Sequence, residues 1–260
     1  MKRINALIIG IFLVAFPGFF PGCATDMATL KIEKSLPQNK LAYYNDSFDK
    51  LREDLWDQAG LVYQKQQLQN YKSPDMRIEN GQLLIQTQVG SFSKGGLVSK
   101  YKLKGDFDVQ IDCHLDFLKD AGDMDQVMAL GVVEKGPVPQ ANHLVAINLL
   151  KEPGEGSGIF SSYRVGMHDI KGKSWLPMGD FHGSLRIIRV GDKISTYYRK
   201  EGGSWKKRDT FPAGGGDARF SILLQNFTIK RKSINATKPV VAKFDNLRIN
   251  AAQEIIEEEI

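Results

Sequence analysis

The chain has 260 residues, of which 42% are hydrophobic and 25% are charged. These fractions exclude a largely disordered chain and a protein with several membrane spans, and the length accommodates one large β domain or two small domains. The formal net charge is +5, and it falls to +3 without residues 1–23, which contain two basic residues and no acidic one. A surplus this small gives no reason to expect a nucleic-acid partner.

Residues 1–23 have the layout of a secretory signal. Two basic residues precede an almost wholly apolar run at residues 4–16, which is too short for a comfortable transmembrane helix. The segment FPGC, which ends at Cys23, resembles a bacterial lipobox, although its first two residues depart from the usual pattern. The resemblance implies that Cys23 is acylated and anchors the protein to a membrane. An ordinary cleaved signal or an uncleaved anchor is the alternative. By analogy with known lipoproteins, Ala24 after the cysteine favours a location at the bacterial outer membrane or the cell surface.

The rest of the chain divides into a tether, one domain and a tail. Residues 24–40 are polar and lack a clear period, which predicts a tether before a domain at residues 41–250. Ser47 can cap a short helix that ends at Leu55, because its hydroxyl accepts the first free amide hydrogens. Residues 251–260 are rich in glutamate and are predicted to form an acidic tail, as a frayed helix or a disordered segment.

The longest regular pattern is GDFDVQIDCHLDF at residues 105–117, where apolar and polar side chains alternate strictly. This period of two predicts a long strand with one face in a core, which requires a large antiparallel sheet as cover. Asn80-Gly81 predicts a hairpin turn, because both residues tolerate a positive φ. Further strands are predicted at residues 126–133, 143–150, 159–168, 184–189, 194–199, 219–225 and 240–249. Short strands without interleaved helices predict an all-β sandwich or barrel.

Several segments occur in an order that resembles a known superfamily. DSFD and LWDQAG come first, IENGQLLI and KGDFDVQID follow, and SLRIIRVGDKISTYYRKEGGSW and KFDNLRI come last. This order is similar to that of the concanavalin A-like lectin/glucanase superfamily, particularly its laminin-G-like and β-xylosidase carboxyl-terminal-type domains. The resemblance implies an all-β jelly-roll sandwich of two antiparallel sheets, in which the first strands pair with the last. It does not decide the activity, since the superfamily contains enzymes, lectins and inert accessory domains.

The polar side of the long strand carries the candidate catalytic residues. Residues two apart on a strand are separated by about 6.6–6.8 Å, which is near the spacing of a glycosidase carboxyl pair. Asp108, Asp112 and His114 therefore form a candidate acid–base row. The other interpretation is a solvent face that only keeps the sheet soluble. The sequence lacks the E-x-D-x-x-E row of laminarinase-type glucanases, and this absence disfavours an enzyme.

Two tryptophans are candidates for stacking on the apolar side of a sugar ring. Trp175 lies in a loop flanked by glycine and proline, and Trp205 follows a hairpin turn. Tyr163 and Arg164 are the other candidate ligand-binding residues in this part of the chain. Packing is the competing interpretation, because tryptophan is more often a core residue than a binding platform.

No cofactor is predicted, and calcium is the metal for which candidates exist. Asp46, Asp49 and Asp245 are those candidates, because the resemblance places the first and last strands together, where some relatives bind calcium. The four histidines show no paired spacing, and no zinc motif appears. Cys113 lies on the apolar side of its strand and has no disulfide partner if Cys23 carries lipid.

These observations support three hypotheses. The preferred one is an envelope-anchored lipoprotein that binds a polysaccharide or oligosaccharide through a non-catalytic, lectin-like domain. The second is a glycoside hydrolase that uses the carboxylate row. The third is a structural or protein-interaction module of the cell envelope. Missing catalytic motifs disfavour the second hypothesis, and the exposure of Trp175 on a concave sheet would separate the first from the third.

Overall fold

The computed structural model describes residues 32–60, 71–120, 122, 124–166, 168–172, 175–226 and 236–257. The predicted signal segment, Cys23 and part of the predicted tether lie outside these residues. Within the described parts of the chain, no helix has the length and apolar character needed to cross a membrane.

The described residues contain sixteen strands, one short α-helix and one 3₁₀ turn. The helix α1 spans Gln38–Tyr44, and the 3₁₀ turn spans Pro139–Ala141. The strands are β1 Trp56–Gly60, β2 Tyr71–Lys72, β3 Asp75–Glu79, β4 Gln82–Gln86, β5 Phe92–Ser99, β6 Tyr101–Leu115, β7 Gln126–Glu134, β8 His143–Lys151, β9 Ser157–Val165, β10 His168–Gly172, β11 Leu176–Pro177, β12 Phe181–Val190, β13 Lys193–Lys200, β14 Lys206–Pro212, β15 Ala218–Asn226 and β16 Val241–Glu257. The all-β prediction is confirmed.

The strands form two stacked antiparallel sheets. Sheet A has the order β3-β4-β16-β6-β12-β13-β14, and sheet B has the order β1-β5-β15-β7-β8-β9-β10. The short strand β2 pairs with β5 in parallel, and the short strand β11 pairs with β9 antiparallel. The two sheets meet where Ala218 of β15 pairs with Leu103 of β6. Because β4 and β6 both pair with β16, early strands lie against the last one, as the resemblance implied.

The core lies between the sheets, and β6 is central to it. The apolar residues Phe107, Val109 and Ile111 are fully buried, as the alternating pattern predicts. They belong to one cluster that includes Ile147 and Phe220 from sheet B. The polar residues of β6 consequently point to the opposite face of sheet A, away from the core.

The predicted helix from Ser47 to Leu55 is wrong. Phe48 has a φ of +54°, which is incompatible with a right-handed helix, and its ring is fully buried. The backbone N–H of Phe48 donates to the Asp46 carboxylate at 2.8 Å, which fixes this turn. The Ser47 hydroxyl donates to Asp49 at 2.6 Å and caps no helix.

The predicted acidic tail at residues 251–260 is not a frayed helix or a disordered segment up to residue 257, because β16 continues to Glu257. Its last residues pair with the beginning of β6, where Glu257 is opposite Tyr101. Ala252 is fully buried, and the backbone N–H of Leu36 donates to its carbonyl at 2.7 Å. The end of the predicted tether therefore packs against the segment that was predicted to be a tail.

Candidate functional site

A polar cleft of about 620 Å³ opens on the face of sheet A that points away from the core. Strands β6, β12 and β16 contribute residues to it, as does the turn between β13 and β14. The polar side chains that line it are Gln82, Asp112, His114, His182, Ser184, Arg199, Glu201, Lys243, Asp245 and Asn246. The cleft thus contains two of the three residues of the predicted acid–base row.

Strand register arranges these side chains in two rows across sheet A. In the first row, Asp112 of β6 is opposite Ser184 of β12 on one side and Asp245 of β16 on the other. The Ser184 hydroxyl donates to Asp112 at 2.6 Å, and the Arg199 guanidinium donates to Ser184 at 3.1 Å. Directly opposite side chains have Cβ atoms about 4.5–5.5 Å apart, so Asp112 and Asp245 are neighbours across the two strands.

The second row contains His182 of β12, His114 of β6 and Lys243 of β16. The two imidazole rings are stacked, with centroids 3.5 Å apart. Asp116 lies two residues beyond His114, and its carboxylate is 3.3 Å from His114 Nε2 and 2.7 Å from His182 Nε2. The hydrogen bond with His182, followed by that with His114, lowers the pKa of Asp116 despite the opposing effect of desolvation.

Asp108, the first residue of the predicted row, lies outside the cleft and is buried. It forms an ion pair with Arg186, whose Nε donates to Asp108 at 2.7 Å, and it accepts a hydrogen bond from Asn250 at 3.1 Å. These contacts join β6 to β12 and to β16. Asp108 therefore does not share a cavity with Asp112 and His114.

The two candidate tryptophans precede strands of different sheets, Trp205 before β14 and Trp175 before β11. Trp205 is beside the cleft, because the Arg199 guanidinium is 4.7 Å from the centroid of its ring. Trp175 is 39% exposed and stacks on Phe160 of sheet B with ring centroids 6.2 Å apart. One binding site cannot use both rings.

The other two candidate ligand-binding residues are neighbours on β9 but face opposite ways. Tyr163 is buried in the core, its ring stacks on Phe211, and its hydroxyl is 3.0 Å from His143 Nδ1. Its predicted place in a surface site is therefore wrong, because neither face of the ring is open to a ligand. Arg164 is exposed on the outer face of sheet B.

The three calcium candidates do not converge in the described residues. Asp46 is buried, and its carboxylate accepts a hydrogen bond from Trp56 Nε1 at 2.7 Å; burial is the main cause that raises its pKa. Asp49 is exposed, and Asp245 faces the cleft. Within the described chain, the cluster whose ligand atoms all lie within 4.8 Å consists instead of His114, Asp116 and His182.

Sequence reasoning missed this cluster. His114 and His182 are separated by 68 residues, so no local spacing connects them. They meet because β6 and β12 pair antiparallel in one particular register. The only sequence signal is that each histidine lies on the polar side of an alternating strand.

Comparisons with known proteins establish the fold. No family model and no curated protein sequence matches this chain. The structure is similar to the β-glucanase of Bacillus licheniformis, with a TM-score of 0.53 and 14% identity over 84% of this chain and 99% of that one. It is also similar to a pseudo β-1,3-glucanase and immunostimulatory antigen of Mycobacterium tuberculosis, with a TM-score of 0.59 and 11% identity over 83% and 98%. The CBM2 module of evolved Dit from Lactobacillus casei BL23 phage J-1 has a TM-score of 0.54 and 10% identity over 80% and 95%.

Identities this low carry information on the fold alone. The protein is a jelly-roll β-sandwich of stacked sheets, and the predicted all-β jelly-roll fold is confirmed.

Proposed function

We propose that this protein is a lipoprotein of the bacterial cell envelope that binds a glycan in the cleft on sheet A without cleaving it. The observation that carries the proposal is the convergence of carboxylate, guanidinium, amide and hydroxyl groups on one open, concave surface. Sugar hydroxyls both donate and accept hydrogen bonds, so they suit a site that offers both kinds of partner. The ring of Trp205 packs against the guanidinium groups of Arg199 and Arg186 and so helps to position Arg199 at the cleft.

Binding without cleavage is supported by the state of two acidic residues, Asp108 and Asp116. A glycosidase needs a carboxylate and a carboxylic acid whose pKa is raised, so that it can protonate the leaving group. Asp108 is bound to Arg186, and the pKa of Asp116 is shifted in the opposite direction. The similar structures include a binding module and a pseudo-enzyme by name, so this fold occurs without catalysis.

A glycoside hydrolase is the second candidate, and one observation favours it. Asp112 and Asp245 are opposite each other on adjacent strands. Glycosidases act through a pair of carboxyl groups that flank the scissile bond, and these two carboxylates line the same cleft.

The experiment is a glycan-array screen of the full chain, followed by variants on each sheet. Arg199→Met removes the cleft guanidinium but keeps an apolar stem, and Trp175→Ala removes the exposed ring on sheet B. We expect saturable binding that Arg199→Met weakens and Trp175→Ala leaves unchanged, with both folds intact by circular dichroism. Loss of binding only in Trp175→Ala would move the site to sheet B. No binding to any glycan would contradict the proposal.

The same glycans test the second candidate. Wild-type protein is incubated with each bound glycan, and new reducing ends are measured. Cleavage that Asp245→Asn abolishes would establish the hydrolase, whereas intact glycans support binding alone.

The lipid anchor is a separate part of the proposal, and it is supported by the signal-like residues 1–23 and by Cys23. Cys23→Ala is expected to release the protein into the soluble fraction and to abolish fatty-acid labelling. Unchanged membrane retention, without label in the wild type, would contradict the anchor.

A further inference from the structure

The cluster of His114, Asp116 and His182 at the cleft has a chemistry of its own that glycan binding does not require. The three side chains come from β6, from the residue after its end and from β12, and their ligand atoms all lie within 4.8 Å of one another. Two imidazole nitrogens are thus directed at the same carboxylate. Two of the three ligands, His114 and His182, are held by paired strands, and Asp116 follows directly after the end of β6.

We propose that His114, Asp116 and His182 bind a divalent transition-metal ion of the zinc class. Zinc binds histidine nitrogen and carboxylate oxygen at about 2.0–2.2 Å in tetrahedral geometry, which places two donor atoms about 3.3 Å apart. His114 Nε2 and the Asp116 carboxylate are already 3.3 Å apart. The 2.7 Å separation at His182 has to widen by about half an ångström, which a small rotation of an exposed side chain provides.

The Nε2 atoms of both rings face the same carboxylate, and this arrangement suits either protons or a metal ion. A neutral imidazole carries one proton: on Nε2 it is donated to Asp116, and on Nδ1 it leaves the Nε2 lone pair free to bind a metal. A zinc-class ion takes the place of the Nε2 protons, and imidazole is a donor that calcium and magnesium do not prefer.

The exposure of the three side chains and the charge of the surrounding cleft are consistent with a metal ion that can exchange with the solvent. The side chains of His114 and His182 are each 43% exposed, and that of Asp116 is 64% exposed. Three protein ligands leave at least one coordination position for water or for a hydroxyl of a ligand. The cleft lining contains three further acids and two bases, so the local balance attracts cations. The acids are Asp112, Glu201 and Asp245, and the bases are Arg199 and Lys243.

Lys243 opposes the ion, because it is the register partner of His114 and lines the same cleft. Its ammonium group repels a divalent cation, whereas Asp116 attracts it. Removing this charge is therefore expected to tighten metal binding several-fold, which a site located elsewhere on the molecule would not show.

The test is a titration of the full chain with Zn²⁺ by calorimetry and with Co²⁺ by visible absorption, in the absence of any glycan. We expect one ion per chain, and a melting temperature raised by roughly 5 to 10 °C when Zn²⁺ is one hundred times above Kd. Ca²⁺ should not compete. Because no glycan is present, the outcome is independent of the proposed function.

Variants assign the site. His114→Gln and His182→Gln should each weaken binding by at least roughly tenfold, since each removes one of three donors. His143→Gln on sheet B is the matched control and should bind as the wild type does, and Lys243→Met should bind more tightly. No binding up to about 1 mM Zn²⁺ would overturn the proposal. Equal affinity in His114→Gln, His182→Gln and wild type would overturn it as well.

Discussion

A buried ion pair joins the two sheets at the end of the molecule where β7 and β12 terminate. Arg189 Nη1 of β12 is 2.5 Å from a carboxylate oxygen of Glu134 on β7, and both side chains are almost fully buried. Arg189 also donates to the carbonyls of Gly105 and Gly216, each at 2.6 Å. The second carboxylate oxygen of Glu134 accepts a hydrogen bond from the Gly214 amide at 2.5 Å. These additional bonds compensate for the desolvation of both charges.

Glu134→Gln leaves the Arg189 guanidinium buried without its counter-charge. Breaking a buried pair by removing one partner costs about 3–5 kcal/mol. For a domain of this size, 1 kcal/mol corresponds to about 2–4 °C, so the melting temperature should fall by roughly 6–20 °C. Glu79→Gln is the matched control, because Glu79 pairs with Arg77 at 2.9 Å where both side chains are about half exposed. That substitution should cost less than about 1 kcal/mol.

The assay is urea and thermal unfolding of wild type, Glu134→Gln and Glu79→Gln, followed by far- and near-ultraviolet circular dichroism. A change in the urea midpoint at constant m would report a change in the free energy of unfolding alone. If Glu134→Gln and Glu79→Gln cost the same, within about 1 kcal/mol of wild type, the buried pair would not stabilise the contact between the sheets and the reasoning would fail.

Three further predictions follow from single side chains. Burial raises the pKa of the Cys113 thiol well above its ordinary value, so iodoacetamide should label it at pH 8 only after unfolding; rapid labelling of the native protein would contradict this. Because the pKa of Asp116 is lowered, its charged carboxylate stabilises the folded protein. This contribution is fully present when the pH is above about 3.9, the ordinary pKa of aspartate, and it is lost as the pH falls through the lowered pKa. NMR titration should show that His182→Ala returns this pKa towards the ordinary value. Asp46→Ala leaves the buried Trp56 N–H without its acceptor, so the free energy of unfolding should fall by about 1–3 kcal/mol. Urea titrations followed by fluorescence measure this change, and an unchanged free energy of unfolding would argue against the hydrogen bond.

Patterns of adjacent residues correctly predicted two features of the fold, the buried face of β6 and the hairpin turn at Asn80-Gly81. The alternation in β6 determines which face is buried, and the structure confirms it from Phe107 to Leu115. Asn80-Gly81 has positive φ values of 54° and 71° at the two turn positions, as the hairpin requires. Both features depend on residues that are adjacent in the chain.

The remaining features depend on pairing between distant segments. The end of β16 mixes glutamates with Ile255 and Ile256, so its local preference is divided, and pairing with β6 decides it; there Glu254 lies 3.0 Å from Lys104. The pairing of His114 with His182 follows from strand register, which no local spacing encodes. Asp108 illustrates the same limit, because its position on the polar side of β6 was clear whereas its ion pair with Arg186 was not.

The position of β16 between β4 and β6 has a consequence for the order in which the protein folds. Strands β7, β8 and β9 are consecutive neighbours and can pair as soon as they are synthesised. Sheet A cannot close in this way, because β4 and β6 acquire their shared partner only after more than a hundred further residues have been made. Until then both strands expose unpaired edges, which are templates for aggregation. The contacts that close sheet A join segments far apart in the chain, and this high contact order predicts slow folding. A chaperone would therefore protect the chain in the interval between the synthesis of β6 and the synthesis of β16.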